Sequence, residues 1–508
     1  MTLPKDLAAK KQWETIGFRH HHGIAVPLFS LWSEKSTGVG EYLDLLPLID
    51  WCQEVGFNII QLLPLNDTQG EASPYSAVSA FALNPIHLSL SALRGFDGGR
   101  IKKSINRGAI DYPSVMKMKE AFLRDLFEQE GRAFMQSGRY QKFLDLHPWL
   151  EGFSLYKAIR MRGDEALGEG KIEVNNALLE DADYHAFVQY LCFQQMSEVR
   201  DYAEAKGILI KGDVPILIAE RSADVVLNED LFRIDLTAGA PPDTYCKDGQ
   251  NWGFPLYDWD RAQDKILAWW KERLEVVAGI YHLYRLDHVV GLFRIWGVPP
   301  GEKPTQGFFV PRDESLWIPR GTKVIRSFLN ECPLLPIAED LGTVPQEVRS
   351  TLQQLGVPGT KVLRWEFTDP VNPIFTPVSS YPAMSMATIA THDTETMKSW
   401  WESNKLAAQA FAEANSILYS ERYDDQMREA VLRLSHGGSS LFHINPLQEY
   451  FPETSPLFFE SEESARINDP ANDRRALNWR VRFKEPVERI ALDKSLKKMV
   501  KAVLTGER

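Results

Sequence analysis

Eight short apolar runs recur along the sequence, most without the alternating polarity of a half-exposed strand. They begin at Gly23 ("GIAVPLFSLW"), Gly56 ("GFNIIQLLPL"), Gly207 ("GILIKGDVPI"), Gly279 ("GIYHLYRLDH"), Pro333 ("PLLPIAEDLG"), Gly359 ("GTKVLRWEF"), Met384 ("MSMATIATHD") and Ser439 ("SSLFHINPL"). Runs of this kind suit parallel strands that are covered on both faces. Helical patterns precede several of them, as "RAQDKILAWWKERLEVVA" does the fourth. Eight such units predict an α/β fold, a (β/α)8 TIM barrel.

One interval is too long for a simple crossover. Between Leu65 and Gly207, "EAFLRDLFEQEGRAFM", "RYQKFLDLHPWLEGFSLYKAIRM" and "DYHAFVQYLCFQQMSEVRDYAEAK" all space their apolar residues near 3.6. This predicts a mainly helical insertion over 85–180, between strands two and three, within a single barrel domain spanning 1–508. A second helical excursion is expected over 395–437, after strand seven. The segment "KEPVERIALDKSLKKMVKAVL" reads as closing helices, and the remaining long loops as smaller subdomains.

The bulk numbers exclude several functions. A formal net charge of -12 disfavours binding to nucleic-acid phosphates. No uncharged apolar run reaches membrane-spanning length, and "MTLPKDLAAKKQW" has no signal-like apolar core. Cys52, Cys192, Cys246 and Cys332 are widely separated, so neither a zinc ribbon nor a disulfide framework is suggested. A reducing, cytoplasmic setting is expected. The "RHHHG" stretch at 19–23 reads as a loop cluster or a tag rather than a metal site.

Acids fall at the C-terminal ends of three predicted strands, where barrel chemistry sits. Asp287 ends "LYRLD", Glu339 ends "LLPIAE" and Asp393 ends "ATIATHD". Side chains alternate along a strand, so Arg285 and Asp287 share a face and Leu286 takes the other. The same rule separates Glu339 from Asp340, and only one of the two can enter the barrel mouth. An ionised carboxylate can act as a nucleophile, and a second carboxyl in a less polar setting can hold a proton and act as general acid. Such a pair is what glycoside chemistry requires. Buried salt bridges are the other reading of these acids.

An ordered set of motifs adds to this. "QLLPLNDTQGEASPYSAVSAFALNP", "KGDVPILIAERSADVVLNEDLF", "GAPPDTYCKDGQNWGFPLYDWD", "YRLDHVVGLFRIW", "IAEDLGTVPQEVRSTLQQLGVPGTKVL", "THDTETMKSWW" and "ARINDP…NWRVR" follow one another almost end to end. In that order they resemble the 4-α-glucanotransferases, the amylomaltase or disproportionating-enzyme group related to α-amylases. The resemblance implies Asp287 as nucleophile, Glu339 as general acid/base and Asp393 as stabiliser of an oxocarbenium-like transition state. It also implies that Asp213, Arg285, His288 and His392 bind the glucose ring at the cleaved bond. Tyr75 would stack near that sugar, Trp252 would belong to a loop over the groove, and Asn468, Arg466 and Asn478 match family positions with less defined roles. The implied partners are a maltooligosaccharide or other α-glucan donor and a glucose or glucan acceptor. No cofactor, metal, nucleic acid or membrane is implied, and monomer and homodimer stay open.

The chain departs from the family pattern at Val289 (usually aromatic), Phe254 and Thr394 (usually Asn) and Glu449 (usually Asp), which bears on subsite shape. Two rival readings remain at this level. An α-glucan hydrolase would use the same three acids; the "PPD…GQNWG" segment and the lack of an evident C-terminal β domain favour transfer. A catalytically inactive glucan-binding protein would require a lost acid, and none is lost.

Overall fold

The computed structural model describes residues 2–98, 108–162, 174–242, 247–369, 372–472 and 475–506. Among the described residues twelve strands, numbered here in chain order, form two sheets. The eight apolar runs supply the barrel: β1 (His21–Ala25), β2 (Ile59–Gln61), β3 (Leu209–Pro215), β6 (Leu283–Asp287), β9 (Leu335–Ala338), β10 (Gly359–Val362), β11 (Ser385–Thr388) and β12 (Phe442–Pro446). They close in that order, every pair is parallel, and β12 returns to β1. Ile24, Ile60, Ile210, Leu283, Leu335 and Ile337 are fully buried. Each such side chain contributes roughly 1.5–3 kcal/mol, which explains why these runs need no polar alternation.

The helices around the barrel follow local rules. In Trp259–Ile280 the Asp258 side chain accepts from the Arg261 N–H, and Ile266, Trp270, Leu274 and Val277 form one buried stripe. The helix Leu45–Val55 stops at Gly56, whose φ of 99° turns its N–H back onto the Cys52 carbonyl and aims the chain into β2. The C-terminal segment forms Val487–Leu492 and Lys494–Thr505.

Between β2 and β3 lie the helices Tyr112–Leu126, Arg132–Met135, Gly138–Leu146 and Trp149–Met161. Asn176–Ala205, capped by Asn175, then runs uninterrupted to β3. Of the span 85–180, residues 99–107 and 163–173 lie outside the described residues. Between β11 and β12 the helices are Met397–Ser403, Lys405–Ala414 and Asp425–His436.

The second sheet is antiparallel, in the order β5–β4–β7–β8: β4 (Phe232–Ala240), β5 (Gln250–Tyr257), β7 (Ile295–Val298) and β8 (Phe308–Val310). It emerges from the loops after β3 and β6 and has its own small core of Leu236, Ala238, Leu256, Ile295 and Val310. It corrects one expectation. Trp252 sits on β5, not in a loop, because alternate residues Trp252 and Phe254 pack on this core. Residues 243–246 of the same motif, Cys246 included, lie outside the described residues. Cys52, Cys192 and Cys332 are buried free thiols. No helix among the described residues is long and apolar enough to cross a membrane.

Candidate active site

Register builds the centre of the site. The parallel pairing of β3 with β6 sets Asp213 opposite Arg285 and Pro215 opposite Asp287. Arg285 Nη1 reaches Asp213 Oδ2 at 2.8 Å and Asp287 Oδ1 at 2.6 Å. One guanidinium thus joins two carboxylates from neighbouring strands, and Asp287 stands at the C-terminal end of its strand with its side chain 23% exposed. Burial pushes the Asp213 carboxyl up, against the pull of Arg285.

The chain turns sharply after Asp287. His288 adopts the left-handed region, with φ 49° and ψ 48°, a conformation a non-glycine residue holds only when its surroundings enforce it. The turn points the His288 N–H at Glu339 Oε2, 2.8 Å away, while Leu341 N–H reaches Glu339 Oε1 at 2.9 Å. Two backbone donors therefore fix the Glu339 carboxyl beside the residue that follows Asp287. Burial raises its pKa and the Asp287 charge raises it further; Arg285 and the two N–H groups oppose them, and the balance lies at about 7. The neighbouring Asp340 turns away, as strand alternation predicts. It accepts from Thr360 N–H at 2.7 Å and pairs with Arg349. Gly359 makes room for it, since a Cβ there would lie 2.8 Å from Asp340 Oδ2.

Asp393 is placed differently from the expectation. β11 ends at Thr388, and the acid follows on a turn, where the Thr391 hydroxyl accepts the Asp393 N–H. His392 Nε2 lies 3.1 Å from Asp393 Oδ2, and Asn468 Nδ2 donates to Oδ1 at 2.6 Å. Burial works against the Asp393 charge, but His392, Asn468 and Arg285 outweigh it and hold the carboxyl at about 2. The His392 imidazole is raised in return: burial lowers it, and the Asp393 charge more than offsets that. For His288 burial dominates: it pushes the imidazole down to about 4, Arg285 adds to the fall, and the Asp287 charge only partly offsets them.

Tyr75 closes the network. Its hydroxyl donates to Asp213 Oδ2 at 2.9 Å, accepts from Arg285 Nη1 at 3.3 Å and lies 3.2 Å from His392 Nε2. Its ring stacks on His392 with centroids 5.5 Å apart. Trp252 meets the His288 ring edge-on at 4.8 Å, which brings the antiparallel sheet to the site. Arg285, Glu339 and His392 line a cleft with Thr388, Leu341 and Gln448.

The remaining candidates divide. Arg466 donates to the Asp393 carbonyl at 3.4 Å and pairs with Asp469. Asn478 instead ties the turn from Asp469, accepting the Asp469 N–H at 3.0 Å. Trp479 was not singled out by the sequence, yet its ring lies 5.7 Å from Tyr75 and 5.6 Å from His392. Its φ of 62° turns the backbone there, and the only available signal was its place in "NWRVR". Among the positions that depart from the family pattern, Val289 is fully buried and its N–H bonds the Glu339 carbonyl. Thr394 Oγ1 accepts from Thr391 N–H, and buried Glu449 accepts from Met397 N–H at 2.9 Å.

His20 and His22 lie away from the acids, against His443 and His436. Among the described residues no group of three or more His, Cys, Asp or Glu is arranged to hold a metal ion.

Known proteins resemble this chain over most of its length. A family model described as 4-alpha-glucanotransferase matches residues 26–488. A 4-alpha-glucanotransferase of Chlamydia pneumoniae is 35% identical, with 97% of each chain covered. One of Thermus thermophilus is 31% identical, over 84% of this chain and 88% of that one. The solved amylomaltase of Streptococcus agalactiae, in complex with acarbose, superposes with a TM-score of 0.81 at 26% identity, covering 96% of this chain and 99% of that one. With a family match over most of its length and relatives of this similarity from end to end, the chain belongs to the 4-alpha-glucanotransferase family.

Proposed function

We propose that this enzyme transfers 1,4-α-glucan segments between chains by a retaining double displacement. In the first step the Asp287 carboxylate attacks the anomeric carbon. The bond from that carbon to the leaving oxygen breaks, its electron pair stays on the oxygen, and the oxygen takes the proton of Glu339. In the second step an acceptor 4-OH gives its proton to Glu339 and attacks the same carbon, and the ester to Asp287 breaks. Asp393, held anionic, faces the positive charge that develops on the sugar ring. Asp213, Arg285, His288, His392 and Tyr75 hold the ring itself, and Trp252 and Asn468 support the groove and Asp393. The observation that carries this reading is the Glu339 carboxyl, fixed by two backbone N–H groups beside the Asp287 turn, where burial raises its pKa to about 7.

Transfer rather than hydrolysis follows from the family, and the donor and acceptor are α-glucans. We place the enzyme in the cytoplasm, in line with its buried free thiols. The direct test is incubation with maltotriose and no cofactor, followed by chromatography. Glucose and a ladder of longer maltooligosaccharides are expected. A steady rise in reducing ends with no longer products would assign a hydrolase instead.

The reading also predicts a pH limb. Glu339 must enter the first step protonated, and a carboxyl at about 7 loses that proton as pH rises. Above that value kcat/KM for maltotriose should fall about tenfold per pH unit. With an α-glucosyl fluoride donor, whose leaving group requires little protonation, the rate of glucosylation should lose this limb. If the limb persists with the fluoride, a group other than Glu339 sets it.

A further inference from the structure

Tyr75 is held in the site by a loop, and that loop is tied to the helices between β2 and β3. Lys157, on the helix Trp149–Met161, is buried, with Nζ 2.7 Å from Oδ2 of the fully buried Asp67. The other groups of Asp67 all hold the loop. Its Oδ1 accepts from Gln69 N–H at 2.8 Å, its own N–H bonds the Ala82 carbonyl, and its carbonyl accepts from Val78 N–H. Asp67 therefore joins both arms of residues 67–82, with Tyr75 between them. The same helix grips the far arm: Trp149 stacks on Phe81, with centroids 5.6 Å apart and planes 21° apart.

An isolated buried ion pair adds little net stability, because desolvation offsets most of the attraction, yet losing one partner leaves an uncompensated charge inside. What such a pair does supply is a fixed geometry. We infer that the Lys157–Asp67 ion pair is a positioning device for the reaction. It locks the 67–82 loop to the insertion helix, so that the Tyr75 hydroxyl stays on Asp213, Arg285 and His392. Lys157 and Asp67 are positioning residues and act only through Tyr75. The inference rests on the proposed role of that network in holding the sugar at the reacting carbon.

A double-mutant cycle on maltotriose disproportionation tests it. Lys157→Met keeps the aliphatic stem and removes the charge; Tyr75→Phe removes only the hydroxyl. A misplacement of about an ångström can cost on the order of 10²-fold in rate, so Lys157→Met should lower kcat/KM by about tenfold or more in the parent enzyme. In the Tyr75→Phe background the same change should cost less than about twofold, because the group it positions is already gone. Equal losses in both backgrounds would overturn the inference, since the ion pair would then act elsewhere. If Lys157→Met does not fold, Asp67→Asn/Lys157→Met, which leaves no charge unpaired, enters the same cycle with the same two outcomes. A parent protein that makes no longer maltooligosaccharides removes the transfer reading and this inference with it. A parent that makes them but loses equally in both backgrounds overturns the positioning inference alone.

Discussion

Asp287→Asn is expected to lower glucan transfer by on the order of 10⁴-fold or more, while Glu339→Gln leaves an enzyme that can still be glucosylated by an activated donor. The two variants separate because the two carboxyls do different work. Asp287, ion-paired to Arg285 at 2.6 Å, supplies the atom that bonds to the sugar. Glu339, at about 7, supplies a proton to the leaving oxygen and later accepts one from the acceptor. Fluoride leaves with little help from a proton donor. Glu339→Gln given an α-glucosyl fluoride should therefore complete the first step and stall in the second, where the base is missing. Mass spectrometry of the quenched protein should find one glucosyl adduct, on the peptide containing "YRLDHVVG". Asp287→Asn should form none. An adduct on the peptide containing "AED" or "THD" would reassign the nucleophile and leave family membership untouched.

The barrel was legible because parallel strands buried on both faces read as unbroken apolar runs, and each of the eight runs became a strand. Strand alternation likewise separates Glu339 from Asp340 in the sequence itself. The antiparallel sheet escaped in part because β7 and β8 are four and three residues long, with Gly297 inside β7 and Pro299, Gly307 and Pro311 beside the two strands; their pairing is a long-range event with little local signature. For the same reason Gly, Pro and Asp around Trp252 suggested a loop where tertiary packing makes a strand. The motifs named the acids, but their arrangement depends on facts that no short stretch contains. Asp213 meets Arg285 through the β3–β6 register. Glu339 is fixed by a left-handed residue at 288, and Trp479 reaches Tyr75 through another at 479. Lys157 finds Asp67 across 90 residues of chain.

Asp393→Asn should lower kcat/KM by about 10²–10³-fold, the scale expected when one preorganised electrostatic partner of a transition state is removed. Asparagine keeps the size of the side chain, so the turn after β11 and the contact from Asn468 have little reason to move. What changes is charge. The native carboxyl is anionic down to about pH 2, so it is ready for a positive sugar ring at any working pH. Its loss also removes the main group that raises His392, leaving burial and Arg285 to lower that imidazole against Asp213 alone. The sign is therefore fixed: the His392 pKa must fall in the variant, and the ring must be neutral over a wider range of pH. An NMR titration of His392 reads this directly in the unliganded protein, independently of turnover. A lower His392 pKa together with the loss in kcat/KM would match the arrangement of His392, Asp393 and Asn468. An unchanged His392 pKa would mean that the ion pair at 3.1 Å does not govern this imidazole, and a rate close to that of the parent would remove Asp393 from the chemistry.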